Sequence, residues 1–210
     1  RALVPNPGAE TVSFWYRLPG LGTRRAEVKV RRRRTSIDAS YEAGIAVVDV
    51  QLRAPDPFLY GAQVTASTGF QTLVGGLEFD LFTNGTEDTG SLEFGQASAT
   101  GRMLLTNAGT AQAWPIFEVT GPTPAAGFDI VCVNTGKRIR FDGAVPPGST
   151  LTIDTSAGTA LLDDVADRGG YLVAREWFPI PAGGECETFF SPIGEPTSAT
   201  LTALYAPTYW

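Results

Sequence analysis

Histidine is missing from this chain altogether. With it go imidazole-ligated zinc, Ser-His-Asp triads and Cys-His dyads. A catalytic reading would rest on carboxylates or on the two lysines, Lys29 and Lys137. Cysteine is nearly as scarce: Cys132 and Cys186 lie far apart, both in strand-like runs. A disulfide between them needs Cα atoms within about 7 Å, which the sequence leaves open, while sparse cysteines without an export signal read as buried free thiols. Long apolar runs are lacking too. None approaches the roughly 20 residues that span a bilayer, so no membrane insertion is expected. No signal-peptide pattern is present, and the chain opens on Arg1 rather than Met. That opening reads as a fragment, a processed form or the ordered part of something longer. Helical periodicity is almost absent. The best candidate, Thr159 to Arg168, is short and acidic, and no other run keeps an i, i+3, i+4, i+7 apolar stripe without meeting Gly or Pro.

What is present is a ladder of short alternations. The 210 residues carry ordinary apolar content (43%), with 24 Gly and 15 Pro to serve tight turns. Between Thr106 and Thr155, the runs Ile116–Val119, Ile130–Val133, Arg138–Phe141 and Leu151–Ile153 alternate apolar with polar residues. Asn, Gly, Pro and Asp cut them apart. Period two with turn residues between runs predicts short antiparallel strands, hence an all-β chain.

Charge divides the chain. Up to Tyr60 there are ten Arg/Lys and six Asp/Glu; beyond it, six and sixteen. This asymmetry predicts two units, residues 1–61 and 62–210. In the first, Val12–Tyr16, Ala26–Arg32 and Ile45–Leu52 read as strands, closed by Arg53-Ala54-Pro55-Asp56-Pro57-Phe58-Leu59-Tyr60, where Pro-x-Pro removes backbone donors. Three strands make a thin core, as in part of a domain. In the second, Leu73–Phe82 and a Gly-rich loop, Asn84–Gly90, lead into strands that recur about every 8–12 residues, the spacing of a sandwich or barrel. The last, Ala199–Tyr205, alternates cleanly.

Several clusters invite chemistry, and each has a plainer reading. Arg31, Arg32, Arg33 and Arg34, with Arg24, Arg25 and Lys29, form the strongest local signal. Clustered arginines bind phosphates, yet successive strand residues point to opposite faces, so four in a row cannot line one groove. A contact with a neighbouring subunit, or a solvated strand end, competes with nucleic-acid binding. Asp163, Asp164 and Asp167 near Asp154 suggest calcium, but the glycine and terminal Glu of an EF-hand loop are missing. Carboxylate pairs spaced for glycoside hydrolysis arise by chance among so many Asp and Glu. Trp114, Trp177, Trp210, Tyr171 and Tyr205 suit sugar stacking or plain packing. Trp114, just before the Ile116–Val119 strand, reads as packing. No catalytic residue, cofactor or metal ligand is assigned.

The second unit resembles the C-terminal domain of siphophage distal tail proteins. The likeness is carried by Thr106-Asn107-Ala108-Gly109-Thr110, Trp114-Pro115-Ile116-Phe117-Glu118-Val119-Thr120-Gly121-Pro122, Ile139-Arg140-Phe141-Asp142, Pro147-Gly148-Ser149-Thr150-Leu151-Thr152-Ile153-Asp154-Thr155 and the closing Ala206-Pro207-Thr208-Tyr209-Trp210. Val50 to Tyr60 is similar to the junction between the family's two domains. Gly183-Gly184-Glu185-Cys186-Glu187 departs from the family's Gly-x-Asn. The resemblance implies a galectin-like antiparallel β-sandwich preceded by part of a small ring-forming β domain whose first elements lie outside this chain. It implies a structural, non-enzymatic role without cofactors. Such a protein is made in the host cytoplasm and sits at the tail tip of a phage virion, or of a gene transfer agent or phage-like particle. It would form a homo-oligomeric ring, usually a hexamer, between the tail tube protein and the tail-tip hub or tail-associated protein. DNA would pass through as cargo only. Arg24, Arg25 and Arg31–Arg34 are then expected at the subunit interface. The alternative is a carbohydrate-binding module, with a host glycan as partner.

Overall fold

The computed structural model describes residues 11–20, 22–37, 39–71, 78–79, 92–93 and 99–210. Two antiparallel sheets built from the alternating runs stack face to face. One orders its strands β15-β11-β10-β16-β8, the other β14-β13-β12-β9-β17-β5. Their ranges are β5 (Val64–Gly69), β8 (Arg102–Thr106), β9 (Ile116–Thr120), β10 (Phe128–Cys132), β11 (Arg138–Phe141), β12 (Thr150–Asp154), β13 (Thr159–Leu162), β14 (Ala166–Asp167), β15 (Leu172–Arg175), β16 (Glu185–Pro192) and β17 (Thr200–Tyr205). Every second residue is buried: Phe128, Ile130 and Cys132 on β10, Phe117 and Val119 on β9, Leu151 and Ile153 on β12, Leu201, Ala203 and Tyr205 on β17. The inward faces interlock through aromatic rings, with Phe190 stacked on Phe70 at 4.0 Å and edge-on to Phe128 at 5.5 Å. Each fully buried Phe or Leu contributes about 1.5–3 kcal/mol, so this sandwich holds most of the hydrophobic stabilisation.

A further sheet precedes it. β1 (Val12–Leu18) pairs with the long β2 (Gly22–Ser36) from Val12↔Val28 to Leu18↔Gly22. After the single turn α1 (Ala39–Glu42), β3 (Val47–Arg53) and then β4 (Leu59–Tyr60) run antiparallel to β2. The last strand of the chain, β18 (Thr208–Tyr209), pairs with β4 and ties this sheet to the sandwich. Ala26, Val28 and Thr208 are its buried residues among those described. β6 (Glu78–Phe79) pairs with β7 (Leu92–Glu93). Of the expected strand Leu73–Phe82 only residues 78–79 are described, and the loop Asn84–Gly90 lies outside the described residues.

The helical candidate Thr159–Arg168 is instead the hairpin of β13 and β14, with Leu162 paired to Ala166. Asp163 and Asp164 take φ of 50° and 58°, two consecutive left-handed residues of a tight hairpin turn, a conformation that Asp tolerates better than most side chains. The cysteines are free thiols buried in the five-stranded sheet. The Cys186 thiol donates to the Cys132 sulfur at 2.8 Å, and burial foremost, with that neighbour adding to it, pushes Cys186 up to about 12.

Candidate functional site

Three surfaces hold the residues that the sequence singles out. The first is the arm formed by the outer half of β2 with β3. Its register slips between Val30 and Arg32, so Arg31 is the extra residue of a bulge, and Arg32, Arg33 and Arg34 face Gln51, Val50 and Asp49. All four arginines are exposed. None forms a salt bridge among the described residues. Alternation sends Arg33 to one face and Arg32 and Arg34 to the other, so the four do not converge. Exposed apolar side chains accompany them: Ile37, Ile45, Val47 and Val48 on the arm, with Val12 and Phe14 on β1.

Arg24 and Arg25 sit elsewhere, at the base of the first sheet. The Arg24 guanidinium lies 3.7 Å above the Tyr209 ring, and so clamps β18 through a cation–π contact. Arg25 lies 5.7 Å from the Trp15 ring and 5.5 Å from that of Tyr60, with its Nε 3.4 Å from the Glu27 carboxylate. The structure thus separates the six arginines into an exposed arm and a partly buried joint.

The joint opens onto the second surface, a groove of about 620 Å³ between the first sheet and the outer face of the six-stranded sheet. Trp15, Arg25, Phe58 and Tyr60 line one side; Gln112, Trp114, Ile116 and Asp154 line the other. Asp56 organises the floor. It accepts hydrogen bonds from the Tyr60 hydroxyl and from the Phe58 amide, the latter at 3.0 Å, as an Asx turn between Pro55 and Pro57. Burial first, and then the Asp56 carboxylate, raise the Tyr60 phenol well above its ordinary range.

The expected packing role of Trp114 is corrected here: it is 42% exposed on the groove wall. Its neighbours explain this. Ala113 bridges Ile180 and is buried, so the next side chain must point outwards. Of the other aromatics, Tyr205 is buried, Trp177 packs partly against the core, Tyr171 is exposed beside Arg168, and Trp210 packs on Phe58 at 4.7 Å. They do not form one platform.

The third surface is the acidic turn. Each aspartate there already serves a local bond: Asp163 accepts from the Thr150 amide, Asp164 from the Thr152 hydroxyl, Asp167 from the Gly169 amide, and Asp154 from the amides of Ser156 and Ala157. Among the described residues no three His, Cys, Asp or Glu side chains are grouped to hold a metal ion, and no helix is long and apolar enough to cross a membrane.

The sequence alone did not single out Asn107. Fully buried, it donates from Nδ2 to the carbonyls of Ala111 (2.8 Å), Pro181 (3.2 Å) and Ile180 (3.4 Å). Its Oδ1 accepts from the amides of Gly109 (2.9 Å) and Thr208 (3.4 Å). Gly109 is required beside it, since a Cβ there would meet the Thr208 carbonyl oxygen at 2.0 Å. The Asn107-Ala108-Gly109 turn is the signal that could have pointed to this hub.

Comparison with known proteins agrees with this architecture. Residues 108–209 match the family model described as the C-terminal domain of the siphovirus-type tail component. The fold is similar to that of SPP1 Dit, whose crystal structure is described as a paradigm of the hub adsorption apparatus in phages infecting Gram-positive hosts. The TM-score is 0.56 at 12% sequence identity, over 89% of this chain and 61% of that one, so the chain spans less than two thirds of its structural relative. A search of the curated proteins finds no match. The sandwich has the all-β, galectin-like fold of SPP1 Dit, and residues 108–209, just under half of this chain, match the C-terminal domain of the siphovirus-type tail component.

Proposed function

We propose that the chain is the repeating subunit of a hexameric ring at the distal end of a phage-type tail, joining the tail tube to the tail-tip hub. Residues 1–61 would be the end of a ring-forming domain, and residues 62–210 the sandwich that projects from the ring. The observation that carries this reading is the first sheet's surface. Ile37, Ile45, Val47 and Val48 are exposed on the arm that carries Arg31–Arg34, with Phe14 exposed on β1. A thin sheet with apolar side chains in water and arginines without salt bridges is the surface of a subunit awaiting a neighbour. The acidic excess beyond Tyr60 offers the complementary charge. SPP1 Dit, described as part of a hub adsorption apparatus, supplies the position in the tail by analogy. Ring closure lets individually weak interfaces cooperate, and DNA crosses the channel without sequence-specific contact.

Charge reversal of Arg31, Arg32, Arg33 and Arg34 to Glu tests the interface. Light scattering on the purified chain is expected to show association that weakens as salt rises, and its loss in the reversed variant. Unchanged assembly with unchanged salt dependence would remove the arginines from the interface.

A further inference from the structure

The chemistry of the groove at the joint selects a ligand. Two indoles stand on its walls with much of their surface in water: Trp15 is 52% exposed and Trp114 42%. Large flat apolar faces on a concave surface are what small-molecule sites use for contact area. The polar groups between them are of one kind. Gln63, Gln112 and Ser156 line the same groove and are exposed. Among the described residues, neither the two amides nor the Ser156 hydroxyl has a hydrogen-bond partner. Each amide offers two donors and two acceptor lone pairs, and the hydroxyl can do both.

Both aspartates are already engaged. Asp56 is held by Tyr60 and the Phe58 amide, and Asp154 by the amides of Ser156 and Ala157. Arg25 lies between two rings, its buried Nε 3.4 Å from the Glu27 carboxylate but without a hydrogen bond. One guanidinium facing two carboxylates is no cradle for phosphate, sulfate or a uronic acid, and the local excess of negative charge disfavours such anions. A ligand with many hydroxyls, apolar C–H faces and no charge satisfies all three conditions. Pyranose rings present C–H bonds of slight positive polarity to the negative face of an indole, while their hydroxyls match side-chain amides that both give and accept. The volume of about 620 Å³ lies within the range of small-molecule sites and holds a short oligosaccharide.

We infer that the groove between Trp15 and Trp114 binds a neutral oligosaccharide, stacked on the indoles and hydrogen-bonded by Gln63, Gln112 and Ser156. This locates sugar recognition at the joint between the first sheet and the sandwich, in a groove whose lining does not include Tyr171, Trp177 or Trp210. It stands whether or not the ring forms.

The test uses the full 210-residue chain on a printed array of neutral oligosaccharides, with sialylated, sulfated and uronic-acid glycans alongside. Hits are followed by calorimetric titration, and light scattering on the same samples records assembly separately. Expected are neutral hits that weaken by about tenfold or more in Trp114→Ala and by a smaller factor in Gln112→Ala, a surface change that spares the core. Tyr171→Ala, outside the groove, should bind as the parent does. Silence across the neutral glycans would overturn the inference. So would preference for the charged ones, or parental affinity in both groove variants.

Discussion

Replacing Asn107 by Ala removes the hub that holds the end of the chain onto the sandwich. Its two shortest bonds, 2.8 Å to the Ala111 carbonyl and 2.9 Å from the Gly109 amide, lie where Asn107 itself is fully buried. No water replaces them without a cavity. An unsatisfied buried group costs about 1–3 kcal/mol, so two cost about 2–6 kcal/mol, against a total of about 5–15 kcal/mol for an ordinary domain. In urea, with a slope of about 2 kcal/mol/M, the unfolding midpoint should fall by about 1–3 M. Asn107→Asp sharpens the argument. It keeps the acceptor for Gly109 and Thr208, but turns a carboxylate towards the three carbonyls that Nδ2 now serves. It should be at least as destabilising as Ala, despite its closer shape. A midpoint shift below about 0.5 M for Ala, or an Asp variant as stable as the parent, would refute the reasoning.

Gly127 has φ of +89°, and a Cβ there would meet the Phe141 carbonyl oxygen at 1.8 Å. Gly127→Ala should therefore cost about 3 kcal/mol or more, read by the same urea titration. The Cys186 thiol stays protonated in the fold while the unfolded thiol ionises near its ordinary value of 9.0. Its contribution is thus full below pH 9 and is lost as the pH climbs towards about 12, at about 1.4 kcal/mol per pH unit. Cys186→Ala should flatten that alkaline fall in the urea midpoint, and an equally steep fall in the variant would contradict the assignment.

The sandwich strands were legible because each buries one face, which forces period two: Phe117 and Val119, Ile139 and Phe141, Leu151 and Ile153 all alternate with exposed or half-buried neighbours. The hairpin at Asp163-Asp164 was not. Its apolar residues are too few to separate a turn of helix from two short strands, and the deciding term is the left-handed tolerance of Asp. Trp114 misled for a related reason. Hydrophobicity argued for packing, but the small Ala111 and Ala113 take the inward positions and leave the indole outside. The groove was out of reach altogether. Trp15, Tyr60, Gln112 and Asp154 meet only because β18 returns to pair with β4, a contact between the end of the chain and its first third that no local pattern encodes. The arginine arm was visible in composition, and its bulge at Arg31 depends on pairing with β3.

Whether the chain closes into a ring is decided most directly by negative-stain electron microscopy of the purified protein and of the tail tip of the particle that carries it. The account predicts class averages with rotational symmetry and a central channel, sandwiches projecting outwards, and the same ring at the end of the tail tube. A monomer in solution, together with no ring in the particle, would contradict it.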